Sequence, residues 1–90
     1  MSQIQVRGFV PDDFNGNEFS LRIEDSIEIE NFYRDENIST GLRYAGGYPI
    51  ISVRGVLATQ CRSGDRVRLT IETNLRAGKI GIRNVEVLKI

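Results

Sequence analysis

The sequence predicts an all-β fold, a small and partly open barrel of five to six strands. Apolar residues recur mainly at every second position, which is typical of strands with one buried face. Glycines interrupt two of these apolar runs, at Gly8 and Gly55, as expected where strands bend or bulge. No stretch shows a sustained helical period. A β-sandwich and a swapped-hairpin dimer are the alternative architectures.

Length and composition limit the class of protein. Ninety residues, 40% of them hydrophobic, predict one small domain over residues 1–90 with a modest core. No apolar run approaches the ~20 residues that a membrane-spanning helix needs. The opening MSQIQVRGFV lacks the cationic and apolar regions of a signal peptide. We therefore expect a cytoplasmic protein without a membrane partner.

The first third of the chain predicts two strands joined by a turn. Residues 4–10 and 18–24 alternate apolar with polar side chains, and residues 11–17 between them are dense in turn formers. Asn15-Gly16 is the strongest turn signal in this segment. Residues 26–33 also alternate, isoleucine against glutamate, and are predicted to continue the second strand after a kink.

The rest of the chain predicts a long loop followed by three strands. Residues 34–49 carry no regular period and form the longest predicted loop. Residues 49–59 are the most apolar run, and residues 66–73 and 79–90 form a predicted hairpin. The apolar phase of the last segment shifts at Asn84, which predicts a bulge or a strand that changes sheets. Five or six short strands with internal glycines favour an oligonucleotide-binding-type barrel.

The residue inventory argues against an enzyme. The chain has no histidine, the commonest general base and transition-metal ligand, and no phosphate-binding or dinucleotide-binding motif. Cys61 is the only cysteine and is interpreted as a structural residue, although Arg62 is expected to lower its pKa. Glu28 and Glu30 are interpreted as a solvated strand face. We expect no catalytic residue, no metal site and no cofactor.

The neutral net charge conceals a strong asymmetry. Residues 1–40 hold nine acids and three bases, and residues 41–90 hold nine bases and three acids, so the halves carry −6 and +6. Most of the bases are arginines, whose planar guanidinium suits phosphate and carboxylate. Two interpretations are open. Acidic strands could neighbour basic ones, or one face could carry a charge that receives an anionic partner.

Basic side chains on the polar phase of three predicted strands and a loop form the candidate binding site. If these strands are neighbours, the cations make one patch whose affinity for phosphate depends on salt. Two tyrosines beside the long loop would supply stacking surfaces. The candidate nucleic-acid-binding residues are Arg54, Arg66, Arg68, Arg76, Lys79, Arg83, Tyr44 and Tyr48.

The alternative for this patch is that the cations pair with carboxylates of the same chain. Four glutamates on predicted strands are the expected partners. They are Glu28, Glu30, Glu72 and Glu86.

Residues 48–82 also carry a recognisable order of residue types. A proline precedes alternating aliphatics, a basic residue and a glycine, and a Gly-Asp turn then leads a second alternating strand. The positions are Pro49, Ile51, Val53, Arg54, Gly55, Gly64, Asp65, Val67, Leu69, Ile71, Ile80 and Ile82. This order resembles the core of the SymE-type toxin family and, more loosely, that of AbrB-type swapped-hairpin DNA-binding dimers. The resemblance implies a homodimer that associates with nucleic acid.

Two classes of function follow from these observations. The first is a non-catalytic nucleic-acid-binding barrel, with single-stranded DNA or RNA favoured, that uses an arginine-rich face of the C-terminal half. The second is a protein-interaction module, such as a small inhibitor or regulator of a larger protein, that uses the charge asymmetry.

Overall fold

The computed structural model describes residues 2–74 and 78–88, without the side chain of Asn74. Over these residues the chain forms six antiparallel strands and two short helices, which confirms the predicted all-β class. The elements in chain order are β1 (Gln3–Phe9), β2 (Glu18–Ile23), α1 (Ser26–Asp35), β3 (Arg43–Ala45), β4 (Tyr48–Arg54), α2 (Val56–Thr59), β5 (Arg66–Asn74) and β6 (Lys79–Val87).

The six strands make a single open sheet in the order β3-β4-β2-β1-β5-β6. This is one sheet, and not the two facing sheets of a sandwich. The predicted pairing of residues 4–10 with 18–24, and of residues 66–73 with the last predicted strand, is present, since β1 pairs with β2 and β5 pairs with β6. The Asn15-Gly16 turn is also confirmed: Gly16 has φ +93°, and the Asn15 side-chain oxygen accepts hydrogen bonds from two following backbone amides.

One face of the sheet, called here the inner face, is covered and forms the core. Alternate residues of each long strand point into it, as the period of two requires. Val6, Leu21 and Leu69 on three neighbouring strands are completely buried, and Phe19 is buried with them. The two helices add Ile29, Phe32 and Ala58 to the same core. Neither helix is long and apolar enough to cross a membrane, among the residues described.

Residues 26–35 form helix α1, so the prediction of a continuing strand here is wrong. Ile27 and Ile29 fit an alternating pattern, but only Ile29 is buried. The buried partner of Ile29 is Phe32, with Tyr33 packed at the edge of the core, which is the i, i+3, i+4 spacing of a helix face. Because the segment is helical, Glu28 and Glu30 do not share the strand face that was predicted for them.

The end of α1 is fixed by Asn37, which takes the left-handed conformation at φ 56°. The Asn37 amide donates to the carbonyl of Arg34, and the Ile38 amide donates to the carbonyl of Tyr33. This double pattern satisfies carbonyls that the last helical turn leaves free. It also turns the chain back toward the sheet, where β3 begins.

Two further local predictions have different outcomes. Val56–Thr59 forms one turn of helix after Gly55, which has φ +75°, so the apolar run over residues 49–59 is a strand only as far as Arg54. The phase shift at Asn84 is a bulge, as predicted: the β5–β6 register is irregular between Thr70 and Ile71, opposite this position.

Gly8 is required by the close approach of β1 to β2. A Cβ atom at this position would lie 2.4 Å from the backbone oxygen of Arg22. Because this oxygen belongs to the backbone, a change of side-chain rotamer cannot remove the clash. We therefore expect Gly8→Ala to lower the free energy of unfolding by about 1–3 kcal/mol, as overpacked sites do. Urea denaturation would measure the change.

Gly81 provides the matched control. It lies in β6 of the same sheet, and an added Cβ would meet nothing within 4 Å. Gly81→Ala should leave stability within about 0.5 kcal/mol of the wild type, in the range of open surface positions. Equal destabilisation by both substitutions would contradict the steric explanation for Gly8.

Candidate nucleic-acid interface

The sheet order separates the predicted patch of cations. β4, which carries Arg54, is divided from β5 by β2 and β1, so Arg54 does not neighbour Arg66 or Arg68 along the sheet. The single patch was predicted on the condition that the three strands are neighbours, and this condition holds for β5 and β6 but not for β4.

Two arginines of β5 are held by carboxylates of the same chain. Arg66 makes a two-pronged contact with Glu24, with nitrogen–oxygen distances of 3.0 and 3.2 Å. Arg68 contacts Glu86 on the adjacent strand at 2.9 Å. Such exposed pairs add little stability, but each carboxylate offsets the positive potential that its arginine would offer to a phosphate.

The hairpin of β5 and β6 contributes one more pair. Arg83 lies 3.7 Å from Glu72. Glu72 and Glu86 therefore both pair with arginines of the same chain, as the alternative interpretation of the patch expected. The other two expected partners, Glu28 and Glu30, lie on α1 and contact none of these arginines among the described residues. The candidate Arg76 lies outside the described residues.

A second set of cations makes no ion pair within residues 2–74 and 78–88. Its members on the strands are Arg22 on β2, Arg43 on β3, Arg54 on β4 and Lys79 on β6, and Arg62 in the turn before β5 also makes no ion pair. Arg54 and Lys79 were candidates from the sequence. Arg22 and Arg43 were missed, although the alternation of β2 already placed Arg22 on the polar phase.

The strand register places cations and apolar side chains alternately in one row across the outer face. Phe9 is opposite Arg22, Arg22 is opposite Ile50, and Ile50 is opposite Arg43. At the other end of the row, Phe9 is opposite Arg66. Because directly opposed residues in antiparallel strands share a face, these side chains lie side by side on the surface away from the core.

Two aromatic rings pack together on this outer face. Phe9 and Tyr48 meet edge to face, with ring centroids 5.2 Å apart and planes at 89°. Tyr48 is 38% exposed, so part of its ring is open to a ligand. The row from Phe9 to Arg43, together with Tyr48 and Arg54, is called here the outer row.

Tyr44 does not join the outer row. Its register partner is Pro49, which is buried on the inner face, and its hydroxyl donates a hydrogen bond to Glu30 of α1. This hydrogen bond, with some burial, raises the pKa of Tyr44. Tyr44 therefore ties the β3–β4 hairpin to the helix, and of the two candidate tyrosines only Tyr48 lies beside the unpaired arginines.

A hollow of about 430 Å³ runs along the outer face between β2 and β4. Arg22, Ser20 and Ser52 offer polar atoms inside it, and Ile50 forms part of its apolar wall. Asp13 and Glu18 lie at its margin and limit how closely an anion can approach on that side. Arg22 is the only arginine among the residues that line this hollow.

A larger groove, of about 780 Å³, opens where β4 and β6 approach each other. Arg43, Arg54 and Lys79 belong to its walls, and no acidic residue does. Tyr33 forms part of it as well, and burial raises the pKa of Tyr33 against a smaller opposing effect of the Arg43 cation. This feature is called here the edge groove.

The described residues contain no group of three or more carboxylate, cysteine or histidine side chains that could hold a metal ion. Cys61 is buried, and burial raises the pKa of its thiol, with a further contribution from Asp65. The expectation that Arg62 would lower this pKa is wrong. A buried thiol with a raised pKa is a poor nucleophile, which agrees with a structural role.

Comparison with protein-family models, with curated proteins and with solved structures gives no match. The resemblance of residues 48–82 to the SymE-type family, and the homodimer that it implies, therefore stay predictions. So does the cytoplasmic location.

The best-connected ion pair of the outer face joins Arg7 and Asp25. The Asp25 carboxylate accepts from the Arg7 guanidinium at 3.1 and 3.3 Å and from the Arg7 backbone amide at 2.8 Å. These contacts lower the pKa of Asp25 below its usual value of about 3.9 and raise that of Arg7. Asp25 directly precedes α1, so the pair connects the start of the helix to β1.

The lowered pKa of Asp25 sets a direction for the pH dependence of stability. Its contribution is complete above the unfolded-state pKa and is lost as pH falls through the lower folded-state pKa. Asp25→Asn should therefore destabilise the protein at pH 7, and the difference from wild type should shrink below about pH 4. Urea denaturation across this pH range would measure it.

Asp12→Asn is the control for this experiment. Asp12 is exposed, and its carboxylate makes no ion pair with the described residues. It should show a smaller destabilisation at pH 7. A constant destabilisation by Asp25→Asn from pH 7 to pH 3 would contradict the ionic origin of the effect.

Proposed function

We propose that this protein binds single-stranded nucleic acid across the outer row. The observation that carries the proposal is the alternation of unpaired arginines with half-buried apolar side chains, beside the partly exposed ring of Tyr48. Arg22 and Arg43 stand on either side of Ile50, and Phe9 and Tyr48 lie beside them. Proteins that hold single strands combine cations for the backbone with rings on which bases stack.

The spacing of the row suits a flexible polyanion. Arg22 on β2 and Arg43 on β3 are separated by β4, so their backbones lie about 10 Å apart, at 4.7–4.9 Å per strand. A single strand can place phosphates on the arginines and turn its bases toward the rings. In a duplex the base faces are stacked on one another, and the rings of Phe9 and Tyr48 would have no partner.

The proposed site does not include every arginine of residues 41–90, because several of these arginines are already paired with carboxylates. Arg66, Arg68 and Arg83 would have to exchange a carboxylate of the same chain for a phosphate. That exchange gains little, because one charge-assisted contact replaces another. Arg22, Arg43 and Arg54 need no such exchange and are expected to dominate binding.

The chemistry of the site supports binding without catalysis. The outer row offers guanidinium groups, hydroxyls and rings, but no general base or activated nucleophile. We propose that the protein is not an enzyme and that it acts by binding its ligand.

Alanine substitutions at the unpaired arginines test the proposal. Arg22→Ala, Arg43→Ala and Arg54→Ala should each weaken binding to a dye-labelled 20-nucleotide oligothymidine or oligouridine. Each should also reduce the salt dependence by about 0.7 in the slope of log K against log salt. Fluorescence anisotropy at several salt concentrations would measure both quantities.

The paired arginines are the matched controls. Arg66→Ala and Arg68→Ala remove the same charge from the same sheet, but each arginine is already held by a glutamate. Their effects on affinity should be several-fold smaller. Absence of binding at low salt with micromolar wild-type protein would overturn the proposal, and equal effects of both sets would overturn the assignment of the site.

Tyr48 separates stacking from charge. Tyr48→Ala should lower affinity about 5- to 150-fold, because stacking of a base on an aromatic ring contributes about 1–3 kcal/mol. Tyr48→Phe keeps the ring and should bind like the wild type. Equal loss in both variants would show that the hydroxyl, and not the ring, makes the contact.

A further inference from the structure

The sheet leaves one side of two strands without a neighbour in the region of the edge groove. β3 pairs with β4 only as far as Ile50, so Ile51–Arg54 has β2 on one side and no strand on the other. β6 is the last strand and pairs only with β5. The Ser39 amide donates to the carbonyl of Gly78, just before β6, but within residues 2–74 and 78–88 no backbone hydrogen bond from outside the sheet reaches Lys79–Ile82.

The floor of the edge groove is apolar. Leu42, Ile80 and Ile82 are partly buried, pack against the core and form part of the groove. Ile80 and Ile82 alternate with Lys79 and Gly81 along β6, so the groove has the pleated, two-residue period of a strand surface. A ligand that matches this period would place an apolar group on the floor at every second position.

The rim of the edge groove is positively charged. Lys79 lies at one end of the free edge of β6, and Arg43 and Arg54 belong to the opposite wall. None of the three makes an ion pair with the described residues, and no acidic side chain lines the groove. A ligand with negative charges on the side away from the floor would be complementary to this rim.

From these three features we infer that the edge groove takes an extended acidic segment of a partner protein. The segment adds to β6 as a further strand, with apolar side chains on Ile80 and Ile82 and carboxylates toward Arg43, Arg54 and Lys79. Strand addition to a free sheet edge gives affinity through backbone hydrogen bonds and selectivity through alternate side chains. This protein-binding site goes beyond the proposed nucleic-acid site, and the two share Arg43 and Arg54.

The bulge in β6 sets the length of the added strand. Regular pairing is interrupted near Arg83, opposite the irregularity between Thr70 and Ile71. The usable edge is therefore Lys79–Ile82, which spans about 14 Å at 3.4 Å per residue. A segment of four to five residues would fill it.

Other occupants fit the groove less well. A nucleic acid cannot form the N–H and C=O ladder that a strand edge offers, and Tyr33, which is half-buried, is the only aromatic residue in the lining of the groove. A second copy of β6 would bring Lys79 and Arg83 to a rim that is already cationic. Both are alternative outcomes of the test.

The probe is a synthetic seven-residue peptide that alternates valine and glutamate and has blocked termini. Wild-type protein should bind it with a dissociation constant in the micromolar range in a fluorescence anisotropy titration. The same peptide with lysine in place of glutamate should bind at least ten-fold more weakly. Lys79→Glu should weaken binding of the acidic peptide at least ten-fold, whereas the control Arg68→Glu, away from the groove, should not.

Backbone methylation tests strand addition directly. Alternate N–H groups of a strand point to opposite sides, so two peptides can be methylated on one set or on the other. One methylated peptide should lose at least ten-fold in affinity while the other binds unchanged. Failure of the acidic peptide to bind, or equal binding of both methylated forms and the parent, would overturn the proposal.

Chemical shifts of backbone amides locate the occupied surface. The acidic peptide should shift the amides of Lys79–Ile82, while an oligonucleotide should shift those of Phe9 and Arg22. If the oligonucleotide, and not the peptide, shifts the amides of Lys79–Ile82, the proposed partner is overturned. If the protein self-associates with increasing concentration and buries this edge, the occupant of the groove is a second copy of the chain and the proposal is also overturned. Because Phe9 and Arg22 lie outside the groove, failure of one proposal leaves the other measurable.

Discussion

The short contact between β1 and β2 holds the whole sheet together. β4 and β3 follow β2 on one side, and β5 and β6 follow β1 on the other, so this pair is the seam between two halves. Only Gly8–Ile23 and Phe9–Arg22 are in register across it. The approach is so close at Gly8 that no side chain fits against the Arg22 carbonyl. The same contact sets Phe9 beside Arg22, and the outer row therefore depends on the seam.

Local periodicity predicted the strands because a strand with one buried face needs apolar residues at alternate positions. The same rule failed at residues 26–35, where Ile27 and Ile29 suit an alternating strand as well as a helix. The discriminating signals were Phe32 and Tyr33, three and four residues after Ile29, and Asn37 as a left-handed stop. Strand order could not be predicted, since it depends on contacts between distant segments.

The candidate site was predictable only in part for the same reason. The sequence places Arg54 on a strand and Tyr48 beside the long loop, but whether an arginine is paired depends on the contacts that its side chain makes in the fold. Glu18 is opposite Arg54 in the β2–β4 register, yet the two make no ion pair. Arg68 is paired because the β5–β6 register places Glu86 opposite it. Arg66 is paired because the fold brings Glu24, from the first half of the chain, next to it. Most of the acids of the first forty residues therefore do not neutralise the basic half, and the neutral total charge conceals local positive surface.

An open sheet gives this small protein two different surfaces from one set of strands. The outer row consists of side chains that alternate between cationic and apolar from strand to strand. The edge groove exposes backbone N–H and C=O groups that would be paired if the sheet closed into a barrel. Arg43 and Arg54 stand between them and belong to both. A phosphate and a carboxylate cannot use the same guanidinium groups together without cost. If both proposed ligands bind, we therefore expect an oligonucleotide and an acidic peptide to lower each other's affinity. By linkage the reduction is the same in both directions, which makes the two shared arginines the point through which a protein partner would release a nucleic acid.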